Sequence, residues 1–515
     1  MNDPNIIPNP ENADMQCYMP VEPIKKAPAF TLFETVGGWL SLVFGFIFTH
    51  FVCGYACGIW GGIFWAAAGA AGAVYTRAKR INTSAAQRAV FVIAEAFCLV
   101  PVLYSNYLIN FLAATFSFVL LFYLAVTISG AELFGKHFVI DALKGIFVRP
   151  FISFSAAPRA AFSLFRGGKR AKSLLFVLLG LLAALPVTLV VVNLLISSDK
   201  MFESMMNDIS AMLPKLSGSL VAEIIFAVPA GFILFGAAFS MNKPAAEYRS
   251  AAPDYRVIPP ALSYAAATPL CAFYLLYFFS QFGYFTSAFG GTLPDGFSVS
   301  EYARRGFFEL CAVAVINLFV IMMIQAFTRR GENDRRPAAL RVYTVVLSGF
   351  SLLFIACSVS KMLMYISRLG MTKDRIYTTW FMVVLAVTFV MVIVWQFRDI
   401  KFWRSMFIVF TVLFAVLCFG NVDGMIARLN ISAYENGTLA ELDVSMLKYD
   451  IGTPAVAPAA EYLARGESDA YTLGRLEDFL TSAAEELAEP APEYFSIQRA
   501  IAQSALKNAG FTAQK

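Results

Sequence analysis

Apolar and polar positions fall in long blocks along this chain. Eleven apolar runs lie at about 35–53, 55–76, 89–108, 110–129, 173–196, 219–241, 261–283, 306–327, 340–360, 376–396 and 404–420, with shorter polar stretches between them. Each approaches the roughly 20 residues an α-helix needs to cross the hydrocarbon core, where the backbone must close its hydrogen bonds internally. The pattern predicts an all-α fold: a polytopic integral membrane helical bundle of about 11 transmembrane helices over 35–420. A leader over 1–34 precedes it and a small helical extracytoplasmic tail over 421–515 follows.

Composition agrees, since 58% hydrophobic and 15% charged residues over 515 positions are too apolar for a soluble globular fold. Charge sets the expected orientation. Of 40 Lys plus Arg, 25 fall in the leader and in alternate loops on its side, 8 in the opposite loops and 7 in the tail. The positive-inside rule then puts the N-terminus in the cytoplasm and the C-terminus outside. From Asn421 onward the tail carries 14 Asp plus Glu. The leader is polar and Pro-rich with no recognisable signal peptide, so the first span reads as an uncleaved signal anchor. Eight scattered Cys, none of them in the tail, argue against structural disulfides.

Spans one and two are joined by almost nothing, and Gly54, Gly58 and Gly62 form a small-residue stripe that predicts a tight hairpin. Spans three and four should form a second hairpin turning at Ser105 and Asn106. The basic, apolar segment over about 137–172, interrupted by Pro150 and Pro158, reads as amphipathic helix on the cytoplasmic leaflet. Pro101, Pro186 and Pro229 are expected to kink the third, fifth and sixth spans. In the tail, TLGRLEDFLTSAAEELAE from Thr472 and SIQRAIAQSALKNAG from Ser496 have amphipathic helical spacing.

An ionisable residue within a span costs about 2.5 to 3.5 kcal/mol at mid-helix on insertion scales, so it is a functional candidate by default. Glu95, Glu223 and Glu309 qualify, although each reads more readily as a hydrogen-bonded or interface-seeking side chain. In EYARRGFFEL, Glu301, Arg305 and Glu309 recur at intervals of four and stack on one helix face, leaving Arg304 over. Two readings stay open there: an ion-pair stripe that seats the helix end, or a guanidinium offered to a phosphate or carboxylate. His137 and Asp141 have a spacing that suits two metal ligands but no third ligand, and His50 reads as an interface residue. No metal site, cofactor, catalytic set or nucleic-acid surface is predicted, and the signatures of P-loops, zincins and nucleophile elbows are missing from the sequence.

EYARRGFFEL resembles a motif of bacterial multipass membrane proteins grouped as domain of unknown function 4173, which are related to the 4153 group. The resemblance continues in LLISSDKMF from Leu194, SKMLMYISRLGMTKDRIYTTWFM from Ser360, NVDGMIARLNI from Asn421 and LDVSMLKYDIGTPAVAPAAEYL from Leu442, from about the fifth span into the tail. It implies a class of membrane protein and no activity. On the predicted topology these motifs bring Asp199, Glu301, Arg304, Arg305, Glu309, Lys361, Arg368, Tyr377, Asn421, Asp423, Arg428 and Asn430 to the outer boundary. That is either a polar belt or a binding site beneath the tail.

Three function classes follow: a non-enzymatic envelope protein that senses or scaffolds, a secondary transporter of a small or lipid-like solute, and an enzyme acting on lipid-linked envelope substrates. Expected partners are membrane lipids and an envelope ligand or protein. The orientation has a direct test: in intact cells, cysteines introduced over residues 329–341 should be shielded from an impermeant thiol reagent and cysteines in the tail labelled. The opposite pattern would invert the topology.

Overall fold

The computed structural model describes residues 30–53, 58–135, 138–165, 200–201, 218–242, 256–290, 307–330, 337–466, 469–489 and 494–511. Among these the fold is all-helical, the one extended pairing being an isolated bridge between Ile258 and Thr328. The first half comprises α1 (Leu32–Ile47), α2 (Ile59–Ala78), α3 (Ala85–Phe97), α4 (Tyr107–Ile128), α5 (Phe138–Phe147), α6 (Ala156–Ala161) and α7 (Gly218–Ser240). The second half has α8 (Pro260–Gly290), α9 (Phe307–Phe327), α10 (Ala338–Leu369), α11 (Lys373–Phe397) and α12 (Phe402–Phe419). The tail adds α13 (Val422–Glu435), α14 (Thr453–Leu463), α15 (Ala470–Ala488) and α16 (Ile497–Asn508).

Nine helical stretches among the described residues are long and apolar enough to cross a membrane. They correspond to nine of the eleven runs. The second run is present as the 20-residue α2, diluted by Gly and Ala, and the fifth, 173–196, lies outside the described residues. The expected kink at Pro101 is a break: α3 stops at Phe97 and the span resumes over Val100–Leu103, with the proline in the first turn where its missing N–H costs nothing. Pro229 lies inside α7, whereas Pro186 is not among the described residues.

Local sequence accounts for the helix starts. Thr31 and Glu34 form a capping box on α1, Glu34 N–H donating to Thr31 Oγ1 at 3.3 Å and Thr31 N–H to Glu34 Oε2 at 2.9 Å. Ser84 and Gln87 repeat the device on α3, and Asn106 caps α4 by accepting from the Ile109 N–H at 3.0 Å. The predicted turn of the second hairpin at Ser105 and Asn106 is therefore present.

The small-residue stripe works differently from the expectation. Residues 54–57, including Gly54, lie outside the described residues, and a Cβ on Gly62 would overlap the carbonyl oxygen of Cys98, so this glycine serves the contact between α2 and the α3 span. The close approach of α1 is to α7. A Cβ on Gly45 would collide with the Ala227 carbonyl oxygen, and one on Gly231 with the Ser41 carbonyl oxygen. Between lipid tails there is little hydrophobic drive for helices to associate, so such backbone contact and its dispersion energy hold the pair.

The segment after α4 has two faces. Ala156, Ala157, Ala160 and Ala161 are buried, Gly38 of α1 abuts the backbone of Ala157 and Ala161, and Gly236 of α7 abuts Pro150. Its outward face carries exposed Leu143, Phe147, Phe151 and Ile152. The segment thus closes one end of the bundle with its small residues and turns large apolar ones outward; His137 and 166–172 are not described.

In the second half, buried polar side chains join the spans. Asn317 of α9, with no exposure, accepts from Tyr274 Oη of α8 at 2.7 Å and donates to Ser351 Oγ of α10 at 2.9 Å. Gln325 donates to Thr344 at 3.0 Å and to Gln396 at 3.4 Å, tying α9, α10 and α11. Measured intramembrane hydrogen bonds average about 0.6 kcal/mol, so these set register more than stability.

The glycine contacts give a prediction. Gly45→Ala should destabilise the bundle by about 1–3 kcal/mol through backbone overlap. Gly349→Ala, with nothing within 4 Å of its added carbon, should be neutral or stabilising by up to about 1 kcal/mol, the helix propensity difference. Detergent-solubilised unfolding of the two variants reads the contrast directly.

Candidate functional site

The tail helices do not stand apart from the bundle. Leu447, Val456, Leu476 and Leu480, none of them exposed, share one apolar cluster with Phe97, Val100 and Ile109 of the second hairpin and with Phe414 and Leu417 of α12. Phe97 stacks on Phe414 at 5.3 Å, and Trp380 Nε1–H of α11 donates to the Leu413 carbonyl at 2.9 Å. The tail is a helical cap seated on the ends of four spans, α3, α4, α11 and α12.

At the centre of that junction is Asp423, in the first turn of α13 and only 4% exposed. Asn106 uses both amide hydrogens here. One goes to Asp423 Oδ2 and the other to Tyr377 Oη, each at 2.7 Å. Lys373 Nζ stands 3.4 Å from the same carboxylate oxygen. Asn421 takes a left-handed conformation (φ +46°), caps α13 by accepting from Gly424 N–H, and also accepts from Gln498 Nε2 at 2.9 Å. Gln498 Oε1 in turn accepts the Ser105 N–H at 3.0 Å, and Ser105 and Ser496 hydroxyls meet at 2.7 Å. The hairpin turn, the start of α11, the start of α13 and the start of α16 are thereby wired into one polar knot.

A second clasp lies beside it. Asn430 of α13 accepts from Met371 N–H and donates to the Met371 carbonyl, both at 2.7 Å, so one side chain pairs with the α10–α11 loop as a strand would. Gly370 before it has φ +77°, and a Cβ there would press on Asn430 Oδ1 at 3.0 Å. That conformation suits glycine and few other residues.

The predicted site residues therefore divide. Tyr377, Asn421 and Asp423 meet in the knot, and Asn430 sits beside it. Glu309 lies on α9 within electrostatic reach of Lys361 on α10, away from Asp423. Arg368 and Arg428 are exposed. Asp199, Glu301, Arg304 and Arg305 lie outside the described residues. Glu223 pairs with His50 at 2.6 Å between α7 and the π-helical end of the first span. Glu95 rests against Gly69 of α2, with its Oε1 buried and without a hydrogen-bond partner.

Sequence reasoning missed Asn106 as the hub of the knot, together with Lys373, Ser496 and Gln498. It also missed Glu34, which takes Lys79 Nζ at 2.6 Å at the opposite end of the bundle. An asparagine and a serine in a two-residue turn between apolar runs were the available signal for the hub. No feature of the sequence tied it to positions more than 270 residues away.

Chemically the knot is crowded. The cavity at its heart, lined by Tyr104, Asn106, Asn421, Asp423 and Gln498, measures about 10 Å³, the lower limit for one water. Among the described residues no three His, Cys, Asp or Glu side chains cluster as metal ligands. Burial pushes the Asp423 carboxyl above the ordinary carboxylate range, against the opposing pull of the Lys373 ammonium and the hydrogen bond from Asn106.

An all-helical bundle of membrane-spanning length, closed at one end by a helical cap sharing its core, defines a polytopic membrane protein with a docked extramembrane module. The chain belongs to the family described as Domain of unknown function (DUF4153), matched over residues 90–462. The match starts in the third span, earlier than the motifs suggested, and so takes in Asn106, Lys373, Tyr377 and Asp423 but not α16. No curated protein and no solved structure matches the chain.

The raised Asp423 pKa fixes a pH dependence. Between the unfolded-chain Asp pKa of about 3.9 and the raised folded one, the folded state holds a proton that the unfolded chain has lost. Stability therefore falls as pH rises from that value through the folded one. Asp423→Asn, which keeps an acceptor for Asn106, should flatten this part of the pH–stability curve in thermal unfolding of the detergent-solubilised protein. An unchanged slope would mean that Asp423 titrates normally.

Proposed function

We propose that the protein is a non-enzymatic envelope protein of a bacterial cytoplasmic membrane, N-terminus inside and cap outside, that senses or scaffolds through its cap. Within its family this reading places it with the 4173-type branch, on the motifs from Leu194 to Leu463. The observation that carries it is the continuity of the cap with the spans: one apolar cluster and one polar knot join α13–α16 to the ends of α3, α4, α11 and α12. A load or ligand on the cap acts on four spans at once.

In this reading Tyr377, Asn421 and Asp423 form the joint. The ligand-facing residues are the exposed Arg368, the Lys361 and Glu309 pair, and the Asp199 and Glu301 to Arg305 motifs. A cavity of about 10 Å³ at the knot suits a joint better than a substrate site, since small-molecule pockets run to roughly 300–1,000 Å³.

Leu480→Ala tests the coupling, because truncating a buried leucine costs about 2–5 kcal/mol locally. Hydrogen exchange should rise in the cap and also over residues 97–110 and 414–419; a rise confined to the cap would refute transmission. Native mass spectrometry of the intact protein then reads the class. A stoichiometric protein partner supports scaffolding, and turnover of a co-purified lipid-linked substrate would make it an enzyme.

A further inference from the structure

A cavity of about 700 Å³ lies in the half of the bundle away from the cap. Its walls are the first half of α1, the last half of α2, the start of α3 and the ends of α4 and α7. Apolar side chains dominate them, with Phe44, Trp65, Phe91 and Leu121 inside. Val36, Leu40, Val74 and Val92, all exposed, form a rim that faces lipid, so the cavity is entered from the side.

Its mouth is cationic. Arg77, at the end of α2, and Arg88, in the first turns of α3, both line it. Among the described residues no carboxylate or other side chain pairs with Arg77. Arg88 has one hydrogen bond, from Nη1 to the Thr83 carbonyl at 2.7 Å, which leaves most of its donors free. The one acid in the wall, Glu34, is occupied by Lys79 at 2.6 Å and by its own capping box. Two unneutralised guanidinia therefore stand where the helices end and an apolar slot begins.

We propose that this cavity binds an anionic phospholipid of the leaflet opposite the cap, with its acyl tails in the slot and its phosphate on Arg77 and Arg88. Guanidinium forks match phosphate oxygens in a bidentate way. Basic pockets between spans are a recurrent setting for acidic headgroups. A water-soluble solute would leave a wall of this kind without polar partners, whereas an amphiphile satisfies both parts. The site is independent of the cap and of what the cap binds.

The test is native mass spectrometry of the delipidated full-length protein titrated with phosphatidylglycerol, phosphatidylcholine or inorganic phosphate. One phosphatidylglycerol per chain should be retained with at least about tenfold preference over phosphatidylcholine. Arg77→Gln with Arg88→Gln should abolish that preference. Gly72→Leu, whose Cβ would meet only the flexible tip of Met241 at 3.8 Å, should block retention of either lipid by filling the slot. Equal retention of the two lipids, a preference that survives the double arginine variant, or a dimer whose formation excludes lipid would each overturn the proposal. Binding of inorganic phosphate with the same affinity would replace it with a free-anion site. The arginines are exposed, so the double variant keeps the test valid even if the filled slot misfolds, and unfolding curves of each variant check this.

Discussion

The cap half of the molecule depends on keeping one buried carboxyl group bonded. Asp423 is withdrawn from water at the level where the spans end, and a carboxyl group in that position is tolerated only with hydrogen-bond partners and, when it ionises, a counter-charge. Asn106 and Lys373 supply them from two other segments. The consequence is geometric: the hairpin turn, the α11 start and the cap are correctly placed only together, because each brings an atom the others need. Removing one partner strands the rest, which is the usual asymmetry of buried polar networks.

Apolar packing supplies the cohesion and leaves orientation to this network. Phe97, Phe414, Leu447 and Leu480 would stay buried under small rotations of the cap, since hydrophobic burial is not directional. The bonds through Asn106, Asn430 and Gln498 would not survive such rotations. At the other end the division of labour differs. There α1 and α7 meet backbone to backbone at Gly45 and Gly231, a contact that fixes distance through shape alone.

How much of this was legible in sequence follows from which signals are local. Span length and the cap's amphipathic helices are local in sequence, and α15 and α16 fall where the patterns from Thr472 and Ser496 put them. Helix pairing is not local. Gly62 announced a close contact that the pattern assigns to the hairpin with the first span, and its partner proved to be Cys98 on the α3 span. The site was half legible for the same reason. Tyr377, Asn421 and Asp423 could be grouped because alternating topology sends the two chain segments that carry them to one side, and yet Asn106 looked like an ordinary turn residue because its N-cap role hides its second task. Asn317 and Glu34 went unremarked because an uncharged amide and a carboxylate at a helix start carry little signal until their partners are known.

The two ends of the bundle differ in a way that bears on function. At the cap end, cation and acid are matched inside the structure, Lys373 with Asp423, and the cavity between them is close to the size of one water. At the far end, Glu34 is matched by Lys79 while Arg77 and Arg88 are not neutralised, and the space beside them is some seventy times larger. A matched and filled site transmits position, because its atoms have nowhere else to go; an unmatched, open one has unspent affinity for something outside the chain. The family match falls close to the same line, covering Asn106, Lys373, Tyr377 and Asp423 of the knot though not its α16 members, and leaving α1 and α2, which carry most of the cavity wall, before its start. The Asp423 centre of the joint therefore belongs to the part of the chain that defines the family, and the cavity is built where two further helices are laid against it.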